Sequence, residues 1–160
     1  ASGRRWGNGD VEITDVELLV GDTASRMVPG GSPCRLRMRY TVHRPVDDFV
    51  FGIAWHRSDG THVSGHNTNL AGFVPSRLDR DGEVSCSYDS LQLAPGEYLV
   101  DVAVHARDGL AYDYWCDALK LRVTCKTDWP GVWSPPHRWQ SSGPLWAETG
   151  EKPSAGGEDP

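Results

Sequence analysis

Residues 49–68 read FVFGIAWHRSDGTHVSGHNT, and this stretch predicts a β-hairpin. In its first half, large apolar side chains alternate with small or polar ones, which is the period-two pattern of a half-buried strand. Ser58-Asp59-Gly60 then favours a chain reversal, because glycine tolerates positive φ and aspartate can bond its own backbone. A short second strand follows through Val63. The side chains expected in the core are Phe49, Phe51, Ile53 and Trp55.

Two irregularities are expected within the strands. Gly52 leaves a gap inside the first strand of the hairpin, and such a gap usually marks a β-bulge or a close approach of backbones, important for packing as much as for a ligand. Upstream, a strand begins at Val11, and its inward phase changes between Ile13 and Val16. This change predicts a β-bulge near Thr14-Asp15, where one extra residue restores the phase.

The same alternation predicts strands on both sides of the hairpin. One of them carries Arg35, Arg37 and Arg39 on its outer face, which is typical of a solvated face or of an edge guarded against aggregation. No window has a helical period, so seven to eight short strands favour an all-β, antiparallel β-sandwich. Besides the hairpin, the predicted strands fall near residues 11–20, 35–40, 84–88, 98–105 and 119–123.

Composition limits the classes of partner. The chain has 160 residues, enough for one domain, and its formal net charge is −6. Without a basic run, nucleic acid and anionic membrane surfaces are not expected as partners. No apolar stretch is long enough to span a membrane, and no leader of the secretory kind opens the chain. Because the chain begins at Ala1, it is expected to be a fragment of a longer protein.

The chain is expected to divide into four segments. A glycine-rich linker or arm occupies residues 1–9, and the sandwich occupies residues 10–125. The Trp-rich and Pro-rich extension, residues 126–146, is too apolar to remain in water, so it is expected to pack on the sandwich or on a partner chain. Residues 147–160 have a low-complexity composition that predicts a disordered tail.

Residues that could hold a metal or perform catalysis are few. The cysteines lack a C-x-x-C pair, so reduced thiols are expected, with two disulfides as the alternative. His56, His62 and His66 are close in sequence, but no carboxylate or cysteine stands at the spacing of a metal motif, so no metal is expected. Nucleophile elbows and phosphate-binding glycine loops are missing from the sequence, so no catalytic residue and no cofactor is expected. The cysteines are Cys34, Cys86, Cys116 and Cys125.

Five motifs in order resemble a known family. The chain is similar, over about residues 4–139, to the C-terminal domain of the ATP-binding subunits of polysaccharide-exporting ABC transporters, of the Wzt type. Its departures are the arginine-rich strand, the HRSDGTHVSGH cluster and the tryptophan-dense end, which leave the glycan specificity open. The motifs are RRWGNGDVEITDVELL, FVFGIAWHRSDG with GHNT, LQLAPGEYLVDVAVH, YDYWCDALKLRV and PPHRW.

The resemblance implies a fold, a function and a location. The fold would be an immunoglobulin-like sandwich, and the function would be recognition of an O-antigen-type polysaccharide, with a terminal modification as one candidate epitope. The domain would lie in the cytoplasm, peripheral to the inner membrane, within a transporter complex. Its partners would be the glycan, a nucleotide-binding domain that carries the ATPase activity, the membrane subunit and a second copy in a homodimer.

Sugar binding needs aromatic faces for the apolar side of the ring and polar groups for the hydroxyls. In the strand at residues 98–105 the valines take the inward phase, so Asp101 and His105 are expected to point outward, free to bind a ligand. Residues 106–116 are predicted to form an adjacent loop rich in aromatic side chains. The predicted carbohydrate-binding residues are Asp101, His105, Tyr112, Tyr114, Trp115 and His56.

The same residues allow other interpretations of the site and of the function. Tyr112 and Trp115 could instead plug the end of the sandwich, and the face of Arg35, Arg37 and Arg39 could instead bind an acidic epitope. The whole domain could be an immunoglobulin-like interaction or dimerisation domain without glycan binding. An enzyme that uses the histidine cluster is a third reading.

Overall fold

The computed structural model describes residues 3–142, and these residues form two β-sheets packed face to face. The described part of the chain contains ten strands and no helix, so it has no helix that could cross a membrane. In chain order the strands are β1 Arg5–Trp6, β2 Val11–Val20, β3 Thr23–Ala24, β4 Met27–Pro29, β5 Cys34–Val42, β6 Val50–Arg57, β7 His62–Asn67, β8 Gly82–Tyr88, β9 Gly96–His105 and β10 Ala111–Thr124.

The larger sheet has the order β1-β10-β9-β6-β7, and the smaller has the order β3-β2-β5-β8. The predicted all-β sandwich is confirmed. Its strand number exceeds the prediction because β1, β3 and β4 are only two or three residues long, too short for alternation to be visible. One pairing is parallel, because β4 joins the far side of β10.

The hairpin predicted within residues 49–68 is formed by β6 and β7, which pair antiparallel. Phe51, Ile53 and Trp55 are buried in the core, and Phe49 packs against it half-buried, as predicted. At Gly52 the expectation of a bulge is wrong, because the register shifts between Trp55 and His56 instead. A Cβ at Gly52 would meet only the Cβ of Asn67, at 3.7 Å, so no backbone approaches closely either.

The predicted bulge in β2 is confirmed, since its pairing with β5 shifts between Ile13 and Asp15. Beside the bulge, a side-chain clasp made by Arg5 and Asp113 bonds the backbone of Ile13. The Ile13 N–H donates to Asp113 Oδ2 at 2.7 Å, and Arg5 Nη2 donates to the Ile13 carbonyl at 2.6 Å. Arg5 also forms a bidentate ion pair with Asp113, so β1, β2 and β10 are joined at one point.

The prediction of an aromatic loop at residues 106–116 is wrong. Only residues 106–110 connect the strands, and β10 begins at Ala111 and runs to Thr124. Its pairing with β9 shifts twice, between Ala111 and Asp113 and between Trp115 and Leu119. These shifts break the alternation of inward and outward residues, which is why the aromatic run does not have the pattern of a strand.

On the smaller sheet, two of the three outward arginines are paired with carboxylates. Arg37 forms a close ion pair with Glu17, and Arg39 lies 3.6 Å from Asp15 and 3.8 Å from Glu83. Of the two interpretations of this face, the guarded edge is wrong, because β5 lies between β2 and β8 in the sheet, and the solvated face remains. Arg37 and Arg39 have carboxylates as partners within their own sheet, and the alternative that this face binds an acidic epitope stays a prediction.

The four cysteines are free thiols, and no disulfide joins any two of them. Cys34 is buried in the core, and burial raises the pKa of its thiol to about 11. A thiol of this kind stays protonated at neutral pH and behaves as a small apolar side chain.

The Trp-rich extension contacts the sandwich through its backbone. Ala94 N–H donates to the Val132 carbonyl at 2.7 Å, and Ser134 N–H donates to the Gln92 carbonyl at 3.0 Å. The indoles of Trp133 and Trp139 remain 72% and 83% exposed. Trp146 and the predicted disordered tail, residues 147–160, lie outside the described residues, and the division of the chain into segments stays a prediction.

Candidate functional site: a groove on the outer face of the larger sheet

The outer face of the larger sheet carries a groove whose floor is made of very small side chains. Gly52 and Ala54 of β6 pair with Ala103 and Asp101 of β9, and Gly65 of β7 pairs with Ala54. The outer faces of β9, β6 and the edge strand β7 thus carry little side-chain volume, and a depression of about 330 Å³ lies there. The lining of this outer groove is Gly52, Ile53, Ala54, Gly65, His66, Asn67, Leu70, Asp101, Val102, Ala103, His105 and Tyr114.

One wall of the outer groove is aromatic. Tyr114 pairs with Ala103 across β9 and β10 and therefore lies on the same outer face. Trp6 of β1 stacks on the Tyr114 ring, with centroids 4.3 Å apart and planes 9° apart, and the Arg4 guanidinium lies 4.8 Å from the Trp6 ring. Burial, reinforced by the Asp101 charge, raises the pKa of Tyr114, so its hydroxyl is a proton donor at neutral pH.

Trp6 was missed by sequence reasoning. It lies in a glycine-rich run that predicts a linker, and β1 is only two residues long. One signal in the sequence could have found it, because a tryptophan directly after two arginines is unusual for a flexible arm.

Asp101 stands at one end of the groove, and the expectation that it is free is wrong. Its Oδ1 accepts the N–H of Asp117 at 2.7 Å, and its Oδ2 lies 2.8 Å from His56 Nε2. The first contact arises from the second irregularity of β10, where Asp117 adopts a positive φ of 52°. A carboxylate has about four acceptor sites, so Asp101 can still accept a hydrogen bond from a ligand hydroxyl.

His105 lines the other end of the groove and is half-buried. Its Nδ1 lies 2.7 Å from the Ala106 carbonyl oxygen, which can only accept, so Nδ1 is the donor. In the neutral ring Nε2 is then an acceptor, which suits a ligand hydroxyl.

The opposite rim is formed by the start of the loop after β7. Asn67 Oδ1 accepts the N–H of Leu70 at 2.8 Å, an Asx-type bond that closes the turn after β7. This turn holds Leu70 against the groove although its side chain is 76% exposed.

Two predicted site residues face the interior. Trp115 pairs with Val102, packs against the core and lies under the Arg5 guanidinium at 4.5 Å. Tyr112 is 6% exposed, and its hydroxyl donates to the Asp48 carbonyl at 2.7 Å. The alternative in which these rings close the sandwich therefore describes their positions. The structure brings together Asp101, His105 and Tyr114.

His56 lies beyond Asp101, in a second depression of about 500 Å³ that shares the Asp101 wall. Arg4, Arg57 and Cys116 also line it. Burial raises the pKa of Cys116, and the Asp101 charge adds to the rise. A nucleophilic cysteine needs the opposite shift, so this cluster of cysteine, histidine and aspartate is not organised for thiolate chemistry.

The three hairpin histidines do not converge. The rings of His56 and His62 lie 5.9 Å apart on the outer face, whereas His66 Nε2 lies 2.6 Å from the Tyr88 hydroxyl between the sheets. Within residues 3–142, no group of three or more His, Cys, Asp or Glu could hold a metal ion.

The contact of His66 with Tyr88 predicts a pH dependence of stability. Trp55 Nε1 donates to the Tyr88 oxygen at 3.0 Å, so the Tyr88 hydroxyl donates onward to His66 Nε2. Burial lowers the pKa of His66 below its ordinary 6.5. On acidification, His66 is therefore protonated at a higher pH in the unfolded chain than in the folded domain. We expect the free energy of unfolding to fall as the pH drops below about 6.5. Thermal unfolding of wild type and His66→Gln from about pH 7.5 to 5 checks this, and equal slopes would contradict it.

Similarity to known proteins agrees with this architecture. A family model described as the Wzt C-terminal domain matches residues 2–134. The chain belongs to the Wzt C-terminal domain family. The resemblance found in the five sequence motifs is thereby confirmed.

Two further comparisons, one with a curated protein and one with a solved structure, agree with this family. The O-antigen export system ATP-binding protein RfbB of Myxococcus xanthus is 28% identical over 134 residues, and the match covers 82% of the chain. The chain covers only 29% of the length of RfbB. A crystal structure of the C-terminal domain of wzt matches with a TM-score of 0.77 and 24% identity, over 87% of this chain and 88% of the other, a likeness of fold.

Proposed function

We propose that this Wzt C-terminal domain is a non-catalytic module that binds an O-antigen-type polysaccharide in the outer groove. The observation that carries the proposal is the groove itself, in which a floor of Gly52, Ala54 and Ala103 lies beside the Tyr114 ring. Asp101 and His105 stand at its two ends as hydrogen-bonding groups.

The chemistry of a pyranose fits this arrangement. One side of the ring presents C–H groups that pack on an aromatic face, and its hydroxyls pair with carboxylate and imidazole groups. The small floor lets a sugar lie close to the sheet, and the Trp6 ring behind Tyr114 fixes the aromatic wall. A rigid platform reduces the ordering that binding would otherwise require.

Membership in this family supports the proposal that the domain is part of a transporter complex. A relative is an O-antigen export ATP-binding protein, so we propose that the chain is joined to a nucleotide-binding domain and acts with a membrane subunit of an ABC transporter. The domain would then work in the cytoplasm at the inner membrane, as a homodimer, and ATP hydrolysis would belong to the nucleotide-binding domain.

Removing the aromatic wall tests the proposal. We expect Tyr114→Ala to weaken binding of the O-polysaccharide of the source strain by about tenfold or more, equal to about 1.4 kcal/mol, because a sugar loses its stacking surface. Tyr114→Phe keeps the ring and should bind within about threefold of wild type. Isothermal titration calorimetry gives both affinities.

The matched control is Trp139→Ala, which removes an aromatic side chain that is 83% exposed and does not line the groove. Normal binding by Tyr114→Ala together with a loss in Trp139→Ala would move the site to the extension. A domain that binds no glycan but binds another protein would favour the interaction-domain alternative.

A further inference from the structure

We infer that the outer groove selects a neutral glycan and rejects sugars that carry a carboxylate or a phosphate. This inference rests on the proposed function, because it concerns the ligand of the same groove. The charge of the lining carries it. Asp101 supplies a carboxylate, and among the described residues that line the groove there is no lysine or arginine.

The Asp101 carboxylate is held in place at the wall of the groove. It is 6% exposed, it accepts the N–H of Asp117, and the bulge of β10 is built around it. An anionic group in the groove would meet this charge at short range, in a site where the protein excludes part of the solvent. It would also leave its own hydration without finding a cationic partner.

No arginine among residues 3–142 lines the groove. Arg37 and Arg39 lie on the smaller sheet and are paired with carboxylates of that sheet. Arg4 and Arg57 line the second depression, on the other side of Asp101, where Arg57 lies 4.0 Å from Asp59. The net charge of −6 adds a repulsion of polyanions at long range.

The polar groups that do line the groove suit hydroxyls. Asp101 accepts hydrogen bonds, the Tyr114 hydroxyl donates and accepts, and His105 offers Nε2. Discrimination of this kind arises from a repulsive element placed against the wrong ligand as much as from contacts to the right one.

The first experiment separates the O-polysaccharide of the source strain into neutral and acidic fractions by anion exchange and titrates each into the domain. We expect the neutral fraction to bind at least about tenfold more tightly than the acidic fraction. Tighter or equal binding of the acidic fraction would overturn the inference while leaving the proposed function in place. If neither fraction binds, the proposed function fails, and the inference fails with it.

A pair of charge variants sharpens the test. Leu70→Arg places a guanidinium on the rim of the groove, at a position that is 76% exposed and whose turn is held by a backbone N–H. Val74→Arg adds the same charge in the same loop, 85% exposed and outside the groove. We expect Leu70→Arg to raise affinity for the acidic fraction by about tenfold and Val74→Arg to leave it nearly unchanged. Equal effects of the two variants would overturn the local account.

Discussion

Gly52→Leu should abolish glycan binding and leave the fold intact. Gly52 lies at the centre of the groove floor, and a Cβ built there meets only the Asn67 Cβ at the ordinary distance of 3.7 Å. Its backbone lies outside the left-handed region, so a side chain adds no strain. Glycine inside a strand is itself unfavourable, so the substitution should change the free energy of unfolding by less than about 1 kcal/mol. The added side chain fills the space of the sugar, and we expect affinity to fall by about a hundredfold or more.

A graded series separates filling of the groove from damage to the fold. Gly52→Ala, Gly52→Val and Gly52→Leu should weaken binding in the order of side-chain volume, whereas their unfolding transitions should coincide. The matched control is Ser87→Leu, which adds an apolar side chain at an exposed strand position of the smaller sheet. Wild-type affinity in Gly52→Leu would exclude the groove as the binding site.

The sequence was informative wherever one face of a strand repeats with period two. The hairpin of β6 and β7, the phase change at Ile13 and the arginine face of β5 follow from that rule, because a single-residue slip would turn every core side chain outward. In β10 the rule fails. Tyr112 and Trp115 both pack with the core although they are three residues apart, an odd spacing that the register shifts of β10 make possible and that simple alternation does not predict.

The same shifts limit what could be predicted of the site. The outward direction of Asp101 and His105 followed from the inward valines of β9, and the structure places both side chains in the groove. Trp115 and Tyr112 were assigned to a loop whose direction no periodicity constrains, and they proved to be inner residues. Of the groove floor, the sequence indicated only Gly52. Glycine and alanine on neighbouring strands can be recognised as one floor only when the strand pairing is known.

The clasp between Arg5 and Asp113 should contribute the largest single ionic share of stability. Asp113 is nearly buried, with 7% of its side chain exposed, and Arg5 holds it through bonds of 2.9 and 2.6 Å. Hydrogen bonding to Asp113 raises the pKa of Arg5, so the guanidinium keeps its charge. Arg5→Ala leaves a buried carboxylate with only the Ile13 N–H, a loss of about 3 kcal/mol. For a domain of this size, thermal unfolding should shift by roughly 10 °C.

The matched control is the neighbouring Arg4→Ala, which removes the same side chain from the exposed face of Trp6 and should reduce stability by less than about 1 kcal/mol. In the double variant Arg5→Ala with Asp113→Ala, the unpaired charge is gone, so its loss of stability should be smaller than the sum of the two single losses. Chemical denaturation of wild type and of the four variants, Arg4→Ala, Arg5→Ala, Asp113→Ala and the double variant, measures these differences. If Arg5→Ala and Arg4→Ala lower the free energy of unfolding equally, the ion pair with Asp113 does not stabilise the bulge of β2. In that case β1 contributes little to the stability of the domain.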